Sequence, residues 1–413
     1  MKIQFAAKKS LISDLLIVLA ASVFVFLVLI MIFNPAEILA ASTEGLLLWF
    51  QIVLPSILPF LIASELMMGL GVVHFLGKLL EPLMRPIFNI PGPGAFVAAM
   101  GYTSGFPVGA ILTGRLRREG LCTRIEAERL ISFTNNASPL FMLVAIPVGM
   151  FGLPSIGMSL AAIHYGTNLI IGWAMRFYCR RDPERKSFSP QTNSRTSPWR
   201  ALIEARHQDG RPIGQLLGDA VRQAMSNLLT IGGFIIFFSV LMKILSLLGV
   251  LNWLAVLITR LFPGIDSLMC HSLAIGFWEI TLGTKSASQL PLSLETRLTL
   301  VSAILGWSGL AIHAQIASFI ADTDIRLGPF IVARLTHAVL SSLIFIGAFR
   351  WEILKLSEPA WSTVITEHLS FSVAIWHSGK FLLYSLGILL IVGLITTITN
   401  QSARSLHRLK FKS

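Results

Sequence analysis

Long apolar runs, rather than a short alternation of apolar and polar positions, organise this chain. Residues 15–33, LLIVLAASVFVFLVLIMIF, pass 19 positions without a charge. A helix rising 1.5 Å per residue needs about that length to cross a hydrocarbon core of about 30 Å. Comparable runs predict crossings at about 44–72, 131–153, 154–178 and 371–399. Two apolar regions are interrupted instead. GYTSGFPVGA (101–110) sets three glycines, a proline, a threonine and a serine where a bilayer favours unbroken helix. In lipid a loosened backbone survives only where it is buried in protein or lines a cavity. The segment therefore reads as the tip of a re-entrant hairpin over about 91–113, and GFWEITLGTKSAS (276–288) as its counterpart. SFTNNASPLF (132–141) and AILGWSGLAIHAQ (303–315) read as helices broken part-way across.

Composition supports a lipid solvent. The mean hydropathy is +0.73, and 54% of residues are hydrophobic against 13% charged, outside the usual range of soluble domains. The net charge of +12 is concentrated in Lys2, Lys8 and Lys9, in 114–130, in 180–211 and in 404–412, and the rest of the chain is close to neutral. Short Lys- and Arg-rich loops stay cytoplasmic, so this charge reports topology. The loop 180–211 carries only Phe188 and Trp199 as aromatics, which argues against a nucleic-acid surface. Cys122, Cys179 and Cys270 are far apart with no CxxC, so neither a disulfide framework nor a metal site is expected, and no cofactor is implied. The basic leader and the small residues at 39–42 resemble a signal peptide, but the apolar run exceeds the usual h-region of about 7–15 residues. A retained anchor is expected.

Setting 60–88 against 234–262 at an offset of 174 pairs Phe60 with Phe234, Met68 with Met242, Leu80 with Leu254 and Phe88 with Phe262. Ala99 and Gly101 then pair with Ala274 and Gly276, and Ser132, Ser138 and Leu140 with Ser302, Ser308 and Leu310. The matches are few but collinear. A cytoplasmic N-terminus and a cytoplasmic loop 180–211 require an odd number of crossings in the first repeat, which inverts the second. The expected fold is an all-α polytopic membrane protein of two inverted repeats, with broken helices, re-entrant hairpins and flanking N- and C-terminal transmembrane helices. Its expected parts are an anchor and linker (1–43), repeat 1 (44–178), a basic cytoplasmic loop (179–212), repeat 2 (213–349), an external segment (350–370), and a final helix with a basic tail (371–413). Inverted repeats with broken helices are the mark of secondary transporters.

The candidate substrate-binding residues follow from the interruptions. Thr103 and Ser104 lie in the first hairpin, Asn135, Asn136 and Ser138 at one break, and Trp307, Ser308, His313 and Gln315 at the other. Glycines and serines that merely permit close helix packing are the competing reading. Ionisable residues inside the bilayer default to function, which adds His164, Glu279 and Arg334; at an offset of 170, Arg334 corresponds to His164. Arg334 either meets an anionic substrate or pairs with Glu279, and His164 and His313 either bind ligand or satisfy a nearby carbonyl. Glu65, His74 and Lys243 fall near helix ends, where snorkelling is expected. No GxSxG, HExxH or paired-carboxylate motif is present, so an enzyme is not expected.

GFPVGA, ERLISFTNNASPLF, GMFG, GFWEITLG, SGLAIHAQ and the pair Arg334 and His337 together resemble the sporulation integral membrane protein YlbJ family, over about 44–350. That family is classed with proteins carrying the nucleoside-recognition (Gate) domain, itself similar to part of the concentrative nucleoside transporters. The resemblance implies a multi-pass cell-membrane transporter linked to sporulation, with two Gate-type halves. GYTSGFPVGA lacks the acidic and glutamine-rich hairpin of true nucleoside transporters, so the substrate class widens to a small polar or anionic metabolite, nucleoside-like or dipicolinate-like. The partners expected are that small molecule and the lipid bilayer, with no nucleic acid and with self-association left open. The alternative function is a non-transporting membrane scaffold or assembly factor in spore formation.

The topology is testable directly. In a background lacking Cys122, Cys179 and Cys270, an impermeant thiol reagent applied to intact cells should label Glu295→Cys, and Arg195→Cys only after permeabilisation. Labelling of Arg195→Cys from outside would overturn the inverted arrangement.

Overall fold

A computed structural model describes residues 2–184 and 197–351, all in helices and connecting segments. The expected crossing at 371–399, the basic tail, most of the external segment and Arg195 lie outside the described residues. Helix α1 (Lys2–Phe33) is followed by α2 (Pro35–Leu48), which passes through one widened turn at Trp49–Val53 into α3 (Leu54–Gly69). Pro55 has no N–H to offer Gln51, and a widened turn absorbs that missing bond without ending the helix. The other elements are α4 (Val72–Phe88), α5 (Gly94–Ser104), α6 (Val108–Arg118), α7 (Arg124–Thr134), the wide helix α8 (Phe141–Met150) and α9 (Ile156–Met175). After α10 (Pro198–Asp209) come α11 (Ile213–Leu247), α12 (Val250–Leu261), α13 (Ser267–Trp278) and α14 (Ile280–Ser288). The last are α15 (Leu294–Trp307), α16 (Gly309–Ile320) and α17 (Leu327–Arg350).

The order from α3 to α9 recurs from α11 to α17. Each series has a long helix, a helix turned off its end, two short helices around a break, two more around a second break, and a long closing helix. The turn after the first helix is a left-handed glycine both times, Gly71 (φ +80) and Gly249 (φ +68). At Gly71 a side chain would also press into the Leu202 carbonyl, 2.5 Å from the site of a Cβ. Matching these corners sets the register at 178, one helical turn beyond the sequence offset of 174. Apolar residues repeating every three or four positions make a one-turn slip hard to detect from identities alone.

Helices α2–α3 and α11 lie antiparallel. Gly45 meets Ile236 and Ser239, Gly232 sits under Trp49, and Gly69 meets Leu216. The Trp49 indole N–H donates to the Leu228 carbonyl at 3.0 Å. Helix α4 leaves this pair at 82° to the preceding helix and is covered on one side by α10, where the tilted rings of Phe75 and Trp199 meet at 4.8 Å.

Polar contacts gather at the two ends of the bundle unequally. At one end Arg117 binds Asp324 (2.7 Å), Arg118 binds Asp322 (2.8 Å) and Arg326 binds Glu128 (2.7 Å). These pairs join the α6–α7 corner to the α16–α17 turn. Arg129, 1% exposed, donates to the carbonyls of Asn89 and Tyr178, each at 2.7 Å, and of Cys179 at 3.0 Å. Glu65 does not snorkel; it pairs with Arg115, both largely buried. At the opposite end Arg297 lies 5.5 Å over the Phe151 ring and donates to the Ser288 carbonyl at 3.0 Å.

The Arg117 hydrogen bonds hold the Asp324 carboxyl below its ordinary range. A carboxylate so held stabilises the fold at neutral pH, and the contribution is lost as pH falls through its folded-state value. Asp324→Asn should therefore be less stable than the parent at pH 7 by about 0.2–1 kcal/mol, as for other exposed pairs, and the two should converge as pH falls through the folded-state value of Asp324. Thermal unfolding in detergent across that range tests this; a gap persisting at the acid end would exclude the pair as its cause.

Candidate functional site

Helix α7 starts firmly and stops abruptly. Thr123 and Glu126 form a reciprocal capping box at its N-terminus, which satisfies two orphan donors. At its C-terminus Asn135 turns extended, with φ −95 and ψ 103, and helix resumes only beyond Ser138. Asparagine side chains compete with the helix for its own backbone groups, and Asn135 and Asn136 do so here. Asn135 donates to the Ile131 carbonyl (2.9 Å) and accepts from the Ala110 N–H (2.9 Å), and Asn136 donates to the Phe133 carbonyl (3.2 Å).

A helix end leaves its last carbonyls unpaired, and Arg334 from α17 takes two of them. Its guanidinium donates to Asn135 O (3.0 Å), to Ser132 O (2.7 Å) and to Asn168 Oδ1 (2.5 Å). Asn168 in turn donates to Asn136 Oδ1. Ala137 is held from both sides, its N–H donating to His164 Nε2 (3.4 Å) and its carbonyl accepting from Tyr165 (2.9 Å). His337 lies against His164, the rings tilted by 35° with centroids 4.6 Å apart. Arg334, Asn135, Asn136, Asn168 and His337 are all fully buried, and His164 is 2% exposed. Among the described residues no carboxylate pairs with Arg334.

The second break is built differently. Ser308 and Gly309 both take left-handed backbone, φ +75. A Cβ at Gly309 would lie 3.0 Å from Ile280 N and 3.1 Å from Trp278 O, so this break presses on the interruption at Glu279. The Glu279 carboxylate caps α14 by accepting from Thr281 N (2.9 Å) and Leu282 N (2.6 Å). The expected alternative of a Glu279–Arg334 pair is thereby corrected: the carboxylate is spent on a helix N-terminus and the guanidinium on a helix C-terminus. Trp307 donates to the Phe277 carbonyl (2.9 Å) and lies against Phe277 and His313, the latter at 4.3 Å. His313 Nδ1 donates to the Gly309 carbonyl at 2.8 Å. The Phe330 ring stands between the breaks, 5.1 Å from His313 and 5.6 Å from the Arg334 guanidinium.

In the first series the short helices α5 and α6 press on the break after α7 in the same way. Side chains at Gly101 and Gly109 would run into the Thr134 carbonyl, and one at Gly105 would meet Ser138. Thr103 donates to its own helix at Ala99 O (2.9 Å), Ser104 Oγ is buried without a partner among the described residues, and Ser138 Oγ accepts from Phe141 N (3.3 Å). Gln315 is buried on α16. Thus Asn135, Asn136, Ser138, His164 and Arg334 come together, while Glu279, Trp307, Ser308 and His313 surround the second break. Asn168, Tyr165 and His337 were missed as site residues. The available signal was helical spacing, since Asn168 lies four residues after His164 and His337 three after Arg334.

An all-helical bundle with long apolar helices, interrupted twice in each series around a buried polar centre, defines a multi-pass integral membrane protein. The nucleoside-recognition (Gate) family matches residues 50–154, from the widened turn before α3 to just past α8. The sporulation integral membrane protein YlbJ of Bacillus subtilis is 45% identical over 331 residues, covering 79% of this chain and 81% of that protein. An uncharacterized protein of Alkalihalophilus pseudofirmus is 28% identical over 173 residues, covering 41% of this chain and 35% of its own. No solved structure matches. The chain belongs to the YlbJ family of sporulation integral membrane proteins.

If Arg334 and Glu279 serve separate helix ends, their substitutions should add. Arg334→Gln strands buried carbonyls and should lower stability by about 2–4 kcal/mol. The double variant with Glu279→Gln should equal the sum of the singles within about 0.5 kcal/mol. Recovery of stability in the double, read by thermal unfolding in detergent, would restore the ion-pair interpretation.

Proposed function

We propose that this protein is a secondary transporter of a small polar or anionic solute, nucleoside-like or dipicolinate-like, acting in spore formation. One observation carries the reading: a fully buried guanidinium with no carboxylate pairing it among the described residues, held where broken helices of both series converge. Removing a charge from water costs several kcal/mol. Two carbonyls, an amide oxygen and the partial negative end of α7 offset part of that cost; an anionic solute supplies the remaining counter-charge.

Alternating access between two inverted halves is the mechanism proposed. It is supported by the recurrence of element order, by the antiparallel packing of α3 and α11, and by the placement of an arginine-bearing turn and its uncharged counterpart at opposite ends. The α6–α7 corner carries the arginines and sits at one end, whereas its counterpart at 289–293 sits with Phe151 at the other. Helices α4 and α12, each starting at a left-handed glycine corner, are assigned to the two membrane surfaces. The hairpins α5–α6 and α13–α14 enter from opposite sides, and each rests on the break of a crossing helix. In this scheme Asn135, Asn136, Ser138 and His164 face the solute from one half. Trp307, Ser308, His313 and Gln315 face it from the other.

Purified protein in liposomes should accumulate radiolabelled pyridine-2,6-dicarboxylate or uridine. Asn136→Leu and Ser308→Leu should each cut uptake at least about tenfold, the loss of one or two hydrogen bonds, at equal protein content. Exposed Lys285→Gln should transport normally. Undiminished uptake in both leucine variants would return those residues to helix packing, and absence of uptake for both solutes would favour the scaffold reading.

A further inference from the structure

The crossing of α9 and α17 gathers buried nitrogens that have nothing to bond. His164 Nδ1, both ring nitrogens of His337 and Arg334 Nε have no partner among the described residues. His164 and His337 are at most 2% exposed. A buried polar group left unpaired costs about 1–3 kcal/mol, so four such nitrogens at one locus, three of them donors while both rings are neutral, point to a ligand that supplies acceptors.

The two imidazoles are not equivalent. His164 Nε2 accepts from the Ala137 N–H, which leaves the proton of the neutral ring on Nδ1. His164 is thus a fixed neutral donor toward the locus. His337 lies beside the His164 backbone carbonyl without a hydrogen bond to it, so neither of its ring nitrogens is fixed by a partner. Neutral, it offers one donor and one acceptor; protonated, it offers two donors. An oxyanion is acceptor-only and is repelled by the lone pair of a neutral ring. With one proton added to His337, the four orphan nitrogens become four donors, His164 Nδ1–H, His337 Nδ1–H and Nε2–H, and Arg334 Nε–H.

The surroundings supply no competing counter-charge. The titratable groups facing the pair are Arg334 on α17, Tyr165 on α9, and Tyr102 on α5, whose ring is 5.5 Å from that of Tyr165. The α7–α8 break contributes the neutral amides of Asn135 and Asn136. Helix α15 contributes Gly306 against the His337 backbone, and α8 has no titratable residue. His313 on α16 lies across the Phe330 ring.

We propose that His337 is the proton site of this transporter, and that an oxyanion at Arg334 binds together with one proton on His337. The proton comes from water on the side to which the site is open and is released with the anion on the other, so the coupled ion is H⁺. The linkage is reciprocal: the anion favours the proton as much as the proton favours the anion. The direction of proton movement rests on the transport reading above, whereas the linkage itself is measurable at equilibrium.

The test uses the full-length protein in nanodiscs with pyridine-2,6-dicarboxylate and, separately, inorganic phosphate as probes. Calorimetric titration in two buffers of different ionisation enthalpy counts the protons taken up per anion. About one proton is expected for the parent and for His164→Asn, the latter binding about tenfold more weakly for one altered donor. About zero is expected for His337→Asn and His337→Gln, two variants that guard against a folding defect in either. In liposomes with the membrane potential clamped, an imposed proton gradient should drive the parent and not the His337 variants. Binding without proton uptake by the parent would overturn the linkage and leave transport standing. Proton-linked binding without transport of either probe would support the site and overturn the transport reading. No binding of either probe would overturn this inference together with the anion site.

Discussion

The carbonyls freed where α7 stops are the constraint around which this molecule is arranged. A helix that ends inside a hydrocarbon layer has no water to satisfy its last backbone groups, and each unmet group costs several kcal/mol. Here the solution comes from the far end of the sequence. Arg334 binds the carbonyls of Ser132 and Asn135, some 200 residues away. The same guanidinium fixes Asn168, which fixes Asn136. The break, the closing helix of each series and the two asparagines are therefore joined in one hydrogen-bonded unit.

Glycine at the hairpin tips serves that unit. Gly101, Gly105 and Gly109 bring α5 and α6 against the Thr134–Ser138 segment with backbone-to-backbone closeness that a methyl group would prevent. Gly309 does the corresponding work against Glu279. In both series the short helices around one interruption pack on the other, so irregular backbone is buried in protein. The Glu279 carboxylate completes the second interruption by capping α14, the same logic with opposite charge at the opposite kind of helix end.

Much of this architecture was legible because lipid enforces simple rules. Nineteen uncharged residues at 15–33 permit little besides a helix, and the four interruptions fall in the segments that glycine, proline and asparagine content marked. What stayed hidden has a common cause. The partners of Arg334 are mainly carbonyls, which every residue carries, so no sequence pattern distinguishes them, and Glu279 was the only visible counter-charge to consider. The left-handed corners at Gly71 and Gly249 lie 178 residues apart against the sequence offset of 174, a one-turn difference that apolar residues repeating every three or four positions do not reveal. Glu65 looked like a snorkelling end residue because Arg115, which buries it, is brought near only by the return of the hairpin.

The 82° corner at Gly71 has a mechanical meaning in the membrane arrangement proposed here. Helix α4 floats at the boundary between lipid and water, with Lys78, Glu81 and Arg85 on the chain that joins α3 to the first hairpin. Arg85 pairs with Glu81 and with Glu126; an unpaired charge carried to mid-bilayer costs about 2.5–3.5 kcal/mol on insertion scales. The helix thus acts as a buoy that pins its hairpin at constant depth. In the proposed arrangement those charges oppose vertical, lift-like travel of that half and favour a sideways rocking in the plane of the bilayer.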